Sequence, residues 1–292
     1  MNTSHKLLRT TLVLSLCLTP TPFHGMLRTL SPNRTICSWL RGGMSAVRAV
    51  RMGARNEKCH VDCDQVIKRQ GRLIVAIDGP VAAGKSTAAP LLACRLGCLY
   101  VCSGFLWRAL TYVLIKEYGY DEERLRDPKE HDVVAVLDPE NLVYQYDGKA
   151  RVLYKGEDIT LVLKKNEIDV PLAMLFSNEK MRALLRDAQR RLAETQDLVI
   201  EGRDTASFIF PDAPFKFFLT ASVGVRALRW RQRQGEDELS LEQAMQYVND
   251  RDAREMRFAS SPLQQTTQII DSTWLTVDEV VDRMLETICR RK

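Results

Sequence analysis

The chain has 292 residues, and 45% of them are hydrophobic, which is enough for one or two domains with a well-packed core. Its net charge of +5 is unevenly distributed, because residues 1–56 contain eight Lys or Arg residues and no Asp or Glu. The rest of the chain therefore carries a net charge of −3. The excess of basic residues belongs to the N-terminal segment, so we do not expect the folded part to bind nucleic acid.

Residues 1–70 have the composition of a targeting segment followed by a linker. An apolar run over residues 11–18 follows Lys6 and Arg9 and is too short to span a bilayer, as in signal peptides. Residues 24–56 are basic and free of acidic residues, which is typical of organelle transit peptides. We therefore expect a disordered leader that directs the protein to a plastid or, more simply, to a mitochondrion, without a stable membrane span. The alternative is a basic extension without targeting function, on a protein that stays in the cytoplasm.

The chain contains eight cysteines. In a chain of this size we expect them to stay reduced, and we expect Cys94, Cys98 and Cys102 to pack in the core. Cys59 and Cys63 resemble the first half of a zinc site, but no second pair of ligands follows at the spacing of a structural zinc site. We therefore expect neither a disulfide framework nor a zinc ion.

Residues 73–87 (LIVAIDGPVAAGKST) contain a complete phosphate-binding pattern, G-x-x-x-x-G-K-S, between an apolar run and a predicted helix. The apolar run predicts a buried parallel strand, after which the backbone N–H groups of the loop point into one concavity and bind phosphate oxygens. In this motif Lys85 reaches the β- and γ-phosphates of ATP, and the Ser86 hydroxyl is a ligand of Mg²⁺. The alternative is that the pattern is a chance glycine turn between a strand and a helix and does not bind phosphate. The predicted ATP-binding residues are Gly79, Pro80, Val81, Ala82, Ala83, Gly84, Lys85, Ser86 and Thr87.

The segment after the loop predicts both helices and a β-hairpin. Gly97 ends the first helix, Ser103 caps the second, and Asp147-Gly148 forms the hairpin turn. The predicted elements are a helix over 85–96, a strand over 99–101, a helix over 103–118, a broken helical stretch over 121–137, a hairpin over 141–154, and helices near 165–175 and 178–195.

The remaining elements alternate between strands and helices. They are strands over 197–201 and 215–219, a helix over 222–234, a helix capped by Ser240, a loop over 258–266, a strand over 267–270 and a helix over 276–290. Such alternation predicts an α/β fold of the P-loop NTPase type, with a parallel sheet core in three layers and helices on both faces.

Two clusters of polar residues follow predicted core strands. Ser103 and Arg108 lie about one helical turn apart, where an arginine can hold a second phosphate through bidentate hydrogen bonds. A later strand is followed by Glu201, Arg203 and Asp204. Burying two carboxylates beside an apolar strand costs free energy unless they pair with a cation or bind a ligand. We expect Glu201 to orient water bound to Mg²⁺, Arg203 to bind a phosphate, and Asp204 to bind a polar base edge. The alternatives are that Arg108 is a surface arginine and that residues 201–204 form a structural ion-pair cluster.

A third cluster places Arg251, Arg254 and Arg257 along one side of a helix, directly before a loop. Mobile arginines beside a phosphate-binding loop are typical of a lid that closes on the transferring phosphoryl group and excludes water. The alternative is a solvated basic helix.

Together these stretches resemble the cytidylate kinases of the bacterial type, which are P-loop nucleoside monophosphate (NMP) kinases. The resemblance extends over residues 73–288. It is carried by IDGPVAAGKST (77–87), SGFLWR (103–108), EGRD (201–204), FPDAPFKFFLTAS (210–222), RDAREMRFASSPL (251–263) and IIDSTWLTVDEVV (269–281). The resemblance implies direct in-line transfer of the γ-phosphoryl group of ATP to CMP or dCMP with Mg²⁺, by a monomer whose partners are small nucleotides.

The resemblance also implies three regions and a set of site residues. The core would comprise residues 71–102, 197–245 and 265–292, the NMP-binding region with its β-hairpin about 103–196, and a short helical lid about 246–264. The catalytic residues would be Lys85, Arg203, Arg251 and Arg254. Ser86 would ligate Mg²⁺, and Glu201 would orient water bound to the ion. The acceptor nucleotide would be surrounded by Ser103, Arg108, Arg182, Arg203, Asp204, Arg251 and Glu255.

Within that set, the resemblance gives pairs of residues distinct roles. Arg108 and Arg203 would bind the phosphate of the acceptor. Arg182 and Asp204 would read the cytosine edge, and Arg251 and Glu255 would face the ribose hydroxyls.

The sequence also departs from the pattern of the family. The departures are Cys102 in place of Asp, Ala173 in place of a serine that helps to read cytosine, Ala206 in place of Gly, Glu255 in place of Asp, and Phe258 in place of a lid arginine. Losing one hydrogen bond to the base reduces discrimination about tenfold. Two alternatives therefore stay open: a related kinase that uses UMP or another NMP, and a nucleotide-binding homologue with impaired catalysis.

Overall fold

A computed structural model of the chain describes residues 48–51, 72–235, 239–256 and 266–290. Most of the predicted leader, the Cys59 and Cys63 pair, and Arg257 and Phe258 lie outside these ranges. Among the described helices, none has both the length and the apolar character needed to cross a membrane.

Within the described ranges, the strands and α-helices alternate along most of the chain. In order they are β1 (Arg48–Arg51), β2 (Ile74–Asp78), α1 (Lys85–Leu96), β3 (Leu99–Cys102), α2 (Ser103–Tyr118), α3 (Glu130–Val136), β4 (Leu142–Tyr146), β5 (Ala150–Tyr154), β6 (Glu157–Asp158), α4 (Asp169–Phe176), α5 (Glu179–Thr195), β7 (Leu198–Glu201), β8 (Phe215–Thr220), α6 (Val223–Gln234), α7 (Leu241–Met256), β9 (Gln268–Asp271) and α8 (Val277–Arg290). A π-helix at Thr205–Ile209 follows β7, and 3₁₀ turns precede α4.

The main sheet has five parallel strands in the order β3-β7-β2-β8-β9. Its central strands are continuous apolar runs because both faces of the sheet are covered. Alternate residues of β2 point into two separate cores: Ala76 packs with α2 and α5, whereas Val75 and Ile77 pack with α1 and α8. The predicted three-layer α/β fold is therefore confirmed.

A small second sheet lies in the predicted NMP-binding region. The hairpin β4–β5 is antiparallel and turns at Gly148, whose φ of +98° favours glycine, and β6 extends the sheet on β5. Strand β1 runs parallel to β4, with Arg48 opposite Val143. These four residues fall inside the segment that the sequence assigns to the leader, and the sequence analysis did not predict a strand there.

Most helices start within one residue of the predicted positions, but α3 begins only at Glu130 and α4 only at Asp169, each after a 3₁₀ turn. The helix caps agree less well. Ser240 and Gln243 form a reciprocal capping pair at α7, in which the Ser240 hydroxyl accepts the Gln243 N–H at 3.2 Å. Ser103 was expected to cap α2, but the capping position is Cys102, which makes no side-chain cap bond. That expectation was wrong because strand β3 runs one residue further and enters the helix without an intervening turn.

Among the described cysteines, Cys98 is buried and Cys94, Cys102 and Cys289 are half-buried, and all four are thiols. Of the three cysteines expected in the core, Cys98 lies in it and Cys102 packs against it. The reduced state of the cysteines stays a prediction.

Candidate active site

The phosphate-binding loop connects the central strand β2 to helix α1 and depends on glycine at both ends. Gly79 has a φ of +149°, and a Cβ added there would lie 2.0 Å from the carbonyl oxygen of Leu219 in β8. Gly84 has a φ of +98° and precedes α1 without a side-chain cap, so no side chain occupies the N–H groups of the first turn. An exposed helix start of this kind, next to a glycine-rich loop, binds phosphate.

Lys85 lies across this loop. Its ammonium group donates to the carbonyl oxygens of Gly79 at 2.7 Å and Pro80 at 2.8 Å, and the side chain is buried. A buried ammonium beside a phosphate cradle supplies the positive charge that a triphosphate requires.

Ser86 is exposed at the start of α1 and donates to Glu201 Oε1 at 2.9 Å. Tyr100 donates to the same oxygen at 3.1 Å. Burial, together with the charge of Glu201, raises the pKa values of Tyr100 and Cys102 well above their ordinary range, so both stay neutral donors. Because the Ser86 proton points at Glu201, the lone pairs of its hydroxyl oxygen are available to a cation. Such oxygen ligands suit Mg²⁺.

Asp78, the last residue of β2, fixes the turn that follows β7. It accepts hydrogen bonds from Thr205 N at 2.8 Å, Thr205 Oγ1 at 2.5 Å and Ala206 N at 2.8 Å. Burial raises the pKa of Asp78 to about 6, and these hydrogen bonds partly oppose the shift. Ala206 therefore fits at a position where the family pattern has a glycine, and its N–H donates to Asp78.

Arg203 lies directly beside the phosphate-binding loop. Its Nη1 donates to the carbonyl oxygen of Gly79 at 2.6 Å and lies 3.8 Å from Asp252 in α7. The structure thus brings together Arg203 and Lys85, which share the Gly79 carbonyl oxygen as an acceptor.

Arg182 and Asp204 form a buried ion pair. The Nη2 of Arg182 lies 2.9 Å from Asp204 Oδ2, and the guanidinium stacks over the rings of Phe176 and Phe208, at 4.9 and 4.5 Å from their centroids. Burial raises the pKa of Asp204, and the hydrogen bond from Arg182 works against this shift. A donor and an acceptor lie side by side between aromatic rings, which is a suitable environment for a planar base edge.

Arg108 and Arg251 meet at a residue that the sequence analysis did not identify. Arg108 of α2 forms an ion pair with Oδ1 of Asp169, and Arg251 of α7 lies 3.5 Å from Oδ2 of the same carboxylate. Arg108 also donates to the carbonyl oxygens of Leu163 and Lys165, each at 3.1 Å. A single aspartate therefore connects the predicted NMP-binding region to the predicted lid helix.

The structure places three other predicted residues as follows. Ser103 is buried against Gly202, so closely that a Cβ added to Gly202 would lie 3.2 Å from the Cβ of Ser103. Arg254 is exposed, and its Nε donates to the Asp250 carbonyl oxygen of the same helix at 3.2 Å. Glu255 lies in the last turn of α7.

Asp252 anchors α7 to the phosphate-binding loop. Its Oδ1 accepts the Val81 N–H at 2.8 Å, and its Oδ2 pairs with Arg226 of α6. Arg226 in turn donates to the carbonyl oxygen of Val81 at 3.2 Å. Sequence reasoning missed Asp252 because it weighed only the arginines around it. The available signal was an acidic residue on a helix otherwise interpreted as a basic face.

A cavity of about 480 Å³ opens beside the loop and the first turn of α1. Arg229 and Arg233 of α6 line one wall, and Leu275 and Val277 before and within α8 line another. Arg229 is held in place by the hydroxyl and carbonyl oxygens of Ser272 at 2.9 and 2.8 Å. A phosphate-binding floor with a partly apolar wall fits a nucleoside triphosphate.

Comparisons with known proteins identify the family of the chain. A family model described as cytidylate kinase matches residues 75–290. The cytidylate kinase of Shouchella clausii (strain KSM-K16) is 36% identical over 218 residues, which cover 73% of this chain and 95% of that protein. The cytidylate kinase of Caldanaerobacter subterraneus subsp. tengcongensis is 34% identical over 220 residues, which cover 73% of this chain and 93% of that protein.

Among solved structures, the shikimate kinase of Acinetobacter baumannii in complex with shikimate is 14% identical with a TM-score of 0.40, and the match covers 78% of this chain and 98% of that one. The resemblance predicted from the sequence is confirmed by the family model and by the two relatives described above. The chain belongs to the cytidylate kinase family.

Proposed function

We propose that this protein transfers the γ-phosphoryl group of ATP to CMP or dCMP. An oxygen of the acceptor phosphate forms a bond to the γ-phosphorus as the bond between that phosphorus and the β,γ-bridging oxygen breaks, which yields ADP and CDP or dCDP. The observation that carries the proposal is the contact between Arg203 and the Gly79 carbonyl oxygen at 2.6 Å. It supports the proposal because Arg203, which the sequence assigns to the acceptor, lies within hydrogen-bond distance of the loop proposed to bind the donor.

The donor side is supplied by the loop and by Lys85. The backbone N–H groups of residues 79–87 bind phosphate oxygens, and Lys85 exchanges its two carbonyl partners for the terminal phosphates. Ser86 offers oxygen lone pairs to Mg²⁺ while Glu201 holds its proton. Mg²⁺, when bound, neutralises charge on the triphosphate.

The acceptor side is supplied by arginines and by one buried pair. Arg108 and Arg203 bind the phosphate of the acceptor, and Arg251 with Glu255 faces its ribose. The Arg182–Asp204 pair presents a donor and an acceptor to the cytosine edge. Positioning and charge neutralisation account for the rate enhancement, and no covalent intermediate is needed.

An acceptor panel tests the proposal. A coupled assay compares the turnover of CMP, dCMP, UMP and AMP at matched concentrations with the full-length protein. We expect CMP or dCMP to exceed the other two. A higher rate with UMP or AMP would favour the related kinase with another acceptor, and ATP binding without transfer to any NMP would favour the impaired homologue. Lys85→Ala should abolish transfer, whereas Lys149→Ala, which removes an exposed lysine in the hairpin turn, should not.

We propose further that residues 1–70 act as a leader for import into a plastid or a mitochondrion. The basic, acid-free composition of residues 1–56 supports this proposal. A fluorescent protein fused behind residues 1–70 tests it. Accumulation of the fusion in an organelle is expected, and a diffuse cytoplasmic signal would reject the proposal.

A further inference from the structure

The carboxylate of Asp169 bridges two arginines from different parts of the molecule. Its Oδ1 pairs with Arg108 of α2, and its Oδ2 lies 3.5 Å from Nη1 of Arg251 of α7. All three side chains are largely buried, with exposed fractions of 12% for Arg108, 15% for Asp169 and 16% for Arg251. The bridge is therefore shielded from water, which strengthens its electrostatic attraction compared with a surface ion pair.

Both arginines belong to the set that the proposed function assigns to the acceptor nucleotide. A carboxylate and a phosphate present similar pairs of anionic oxygens to a guanidinium group. Asp169 thus makes, within the protein, the kind of contact that the acceptor phosphate makes on binding.

We propose that Asp169 is an internal counter-anion that competes with the acceptor nucleotide, with its phosphate for Arg108 and with its ribose for Arg251. This inference rests on the proposed function, because it takes the acceptor to be a nucleoside monophosphate. Binding of the acceptor displaces Asp169 from the arginines, so Asp169 weakens acceptor binding and holds the lid helix against the NMP-binding region until the acceptor arrives.

The charges show why displacement is required. Asp169 and a phosphate dianion would together bring three negative charges to the guanidinium group of Arg108 in a largely buried space. Like charges at close range repel, so Asp169 and the phosphate do not share Arg108. Asp169 is the first residue of α4 and follows the 3₁₀ turn Asn166–Ile168, so it lies at a junction between two short elements.

The position of Asp169 also stabilises its displaced form. A negative charge in the first turn of a helix is favourable, because it interacts with the unpaired N–H groups there. Asp169 therefore keeps a favourable interaction after it releases Arg108 and Arg251, and the exchange of partners is reversible.

Kinetics of Asp169→Asn in the full-length protein test the proposal. The amide removes the charge and keeps the shape, so the KM for CMP should fall about tenfold if Asp169 occupies the arginines for about nine-tenths of the time. The KM for ATP should not change. An unchanged or raised KM for CMP would overturn the proposal, because it would mean that Asp169 is a bystander or a ligand of the substrate.

A second measurement does not depend on CMP. Sulfate serves as an anion probe, and its effect on the melting temperature is compared between the wild type and Asp169→Asn. The variant leaves the two arginines without this carboxylate, so sulfate should raise its melting temperature more than that of the wild type. Equal shifts would overturn the proposal. If the wild type does not use CMP, the proposed function fails, but the sulfate comparison still decides whether Asp169 competes with anions.

Two further variants complete the experiment. Asp147→Asn removes the charge of an aspartate that pairs with Arg151 in the hairpin turn, and it should change neither the KM for CMP nor the response to sulfate. If Asp169→Asn does not fold, Asp169→Ser replaces it, because a serine hydroxyl suits the start of a helix and carries no charge. The same two outcomes then apply to the serine variant.

Discussion

Asp252 of α7 accepts the backbone N–H of Val81 at 2.8 Å, so a side chain of the predicted lid helix holds the phosphate-binding loop. The same carboxylate pairs with Arg226, which itself donates to the carbonyl oxygen of Val81. The N–H and C=O groups of one loop residue are thereby fixed by two side chains from two helices.

Asp252→Ala should therefore weaken both folding and ATP binding. It leaves the buried Arg226 without its carboxylate, which costs about 3 kcal/mol in the free energy of unfolding. The KM for ATP should rise because Val81 is no longer held. Urea denaturation and steady-state kinetics measure the two effects. Asp250→Ala, on the exposed face of the same helix, is the control and should change neither quantity. A KM for ATP that stays at the wild-type value would contradict this role.

Glu201→Gln should raise the Mg²⁺ requirement. Ser86 and Tyr100 both donate to Glu201 Oε1. An amide removes the negative charge and replaces one of the two acceptor oxygens by a donor. We expect the Mg²⁺ concentration for half-maximal activity to rise about tenfold or more. Tyr100→Phe keeps the carboxylate and removes one donor, so its effect should be smaller, equivalent to about 1 kcal/mol. Identical Mg²⁺ titrations for Glu201→Gln and the wild type would exclude this function of Glu201.

The buried Asp78 should make stability depend on pH. Burial raises its pKa from 3.8 to about 6, so the folded protein binds this proton more tightly than the unfolded chain does. The contribution of Asp78 is therefore fully present below pH 3.8 and is lost as the pH rises through about 6. From about pH 4 to about pH 7 the loss amounts to about 3 kcal/mol.

The measurement compares the wild type with Asp78→Asn, which cannot titrate. Urea denaturation at several pH values gives the free energy of unfolding of each protein. The wild type should lose about 3 kcal/mol relative to the variant over that range. Parallel pH profiles would show that the Asp78 carboxyl does not titrate differently in the folded state.

The Arg182–Asp204 pair should contribute to specificity more than to stability. Asp204→Ala leaves the guanidinium of Arg182 buried and unpaired, which should cost about 3 kcal/mol of stability. Arg182→Met combined with Asp204→Leu removes both charges and should recover most of that loss. The double variant should nevertheless use CMP poorly, with an unchanged KM for ATP. Chemical denaturation and the acceptor panel separate the two effects, and normal CMP use by the double variant would show that the pair does not read the base.

The sequence predicted the elements of the fold well, because the phosphate-binding motif and the apolar runs are local features. The helix that begins at Lys85 and ends before Gly97, the hairpin around Gly148, and the strands of the parallel sheet all follow from neighbouring residues. The prediction that Ser103 caps α2 was wrong, because the length of β3, and not the capping preference of Ser103, decides where the helix begins. The pairing of β1 with β4 depends on partners far apart in the chain, and no local pattern predicts it.

The site was predicted less completely, for a physical reason. Motifs identify residues such as Lys85 and Arg203 that meet ligands, but they do not identify the side chains that hold those residues in place. Asp169 finds its partners only when α2, α4 and α7 come together, and Asp252 only when α7 packs against α6 and the phosphate-binding loop. The assignment of individual residues to the acceptor nucleotide stays a prediction until the variants described above are measured.

The close approach of Gly79 to the Leu219 carbonyl oxygen has a consequence for synthesis of the protein. Strand β2 lies between β7 and β8, both of which leave the ribosome long after it. An unfinished chain that ends before β8 therefore lacks the wall against which the phosphate-binding loop is shaped. Because a ligand stabilises only the states that bind it, ATP can promote folding only after the strands that flank β2 have been made. Until then, the nascent chain gains no stability from ATP and leaves the apolar edge of β2 uncovered, which favours aggregation.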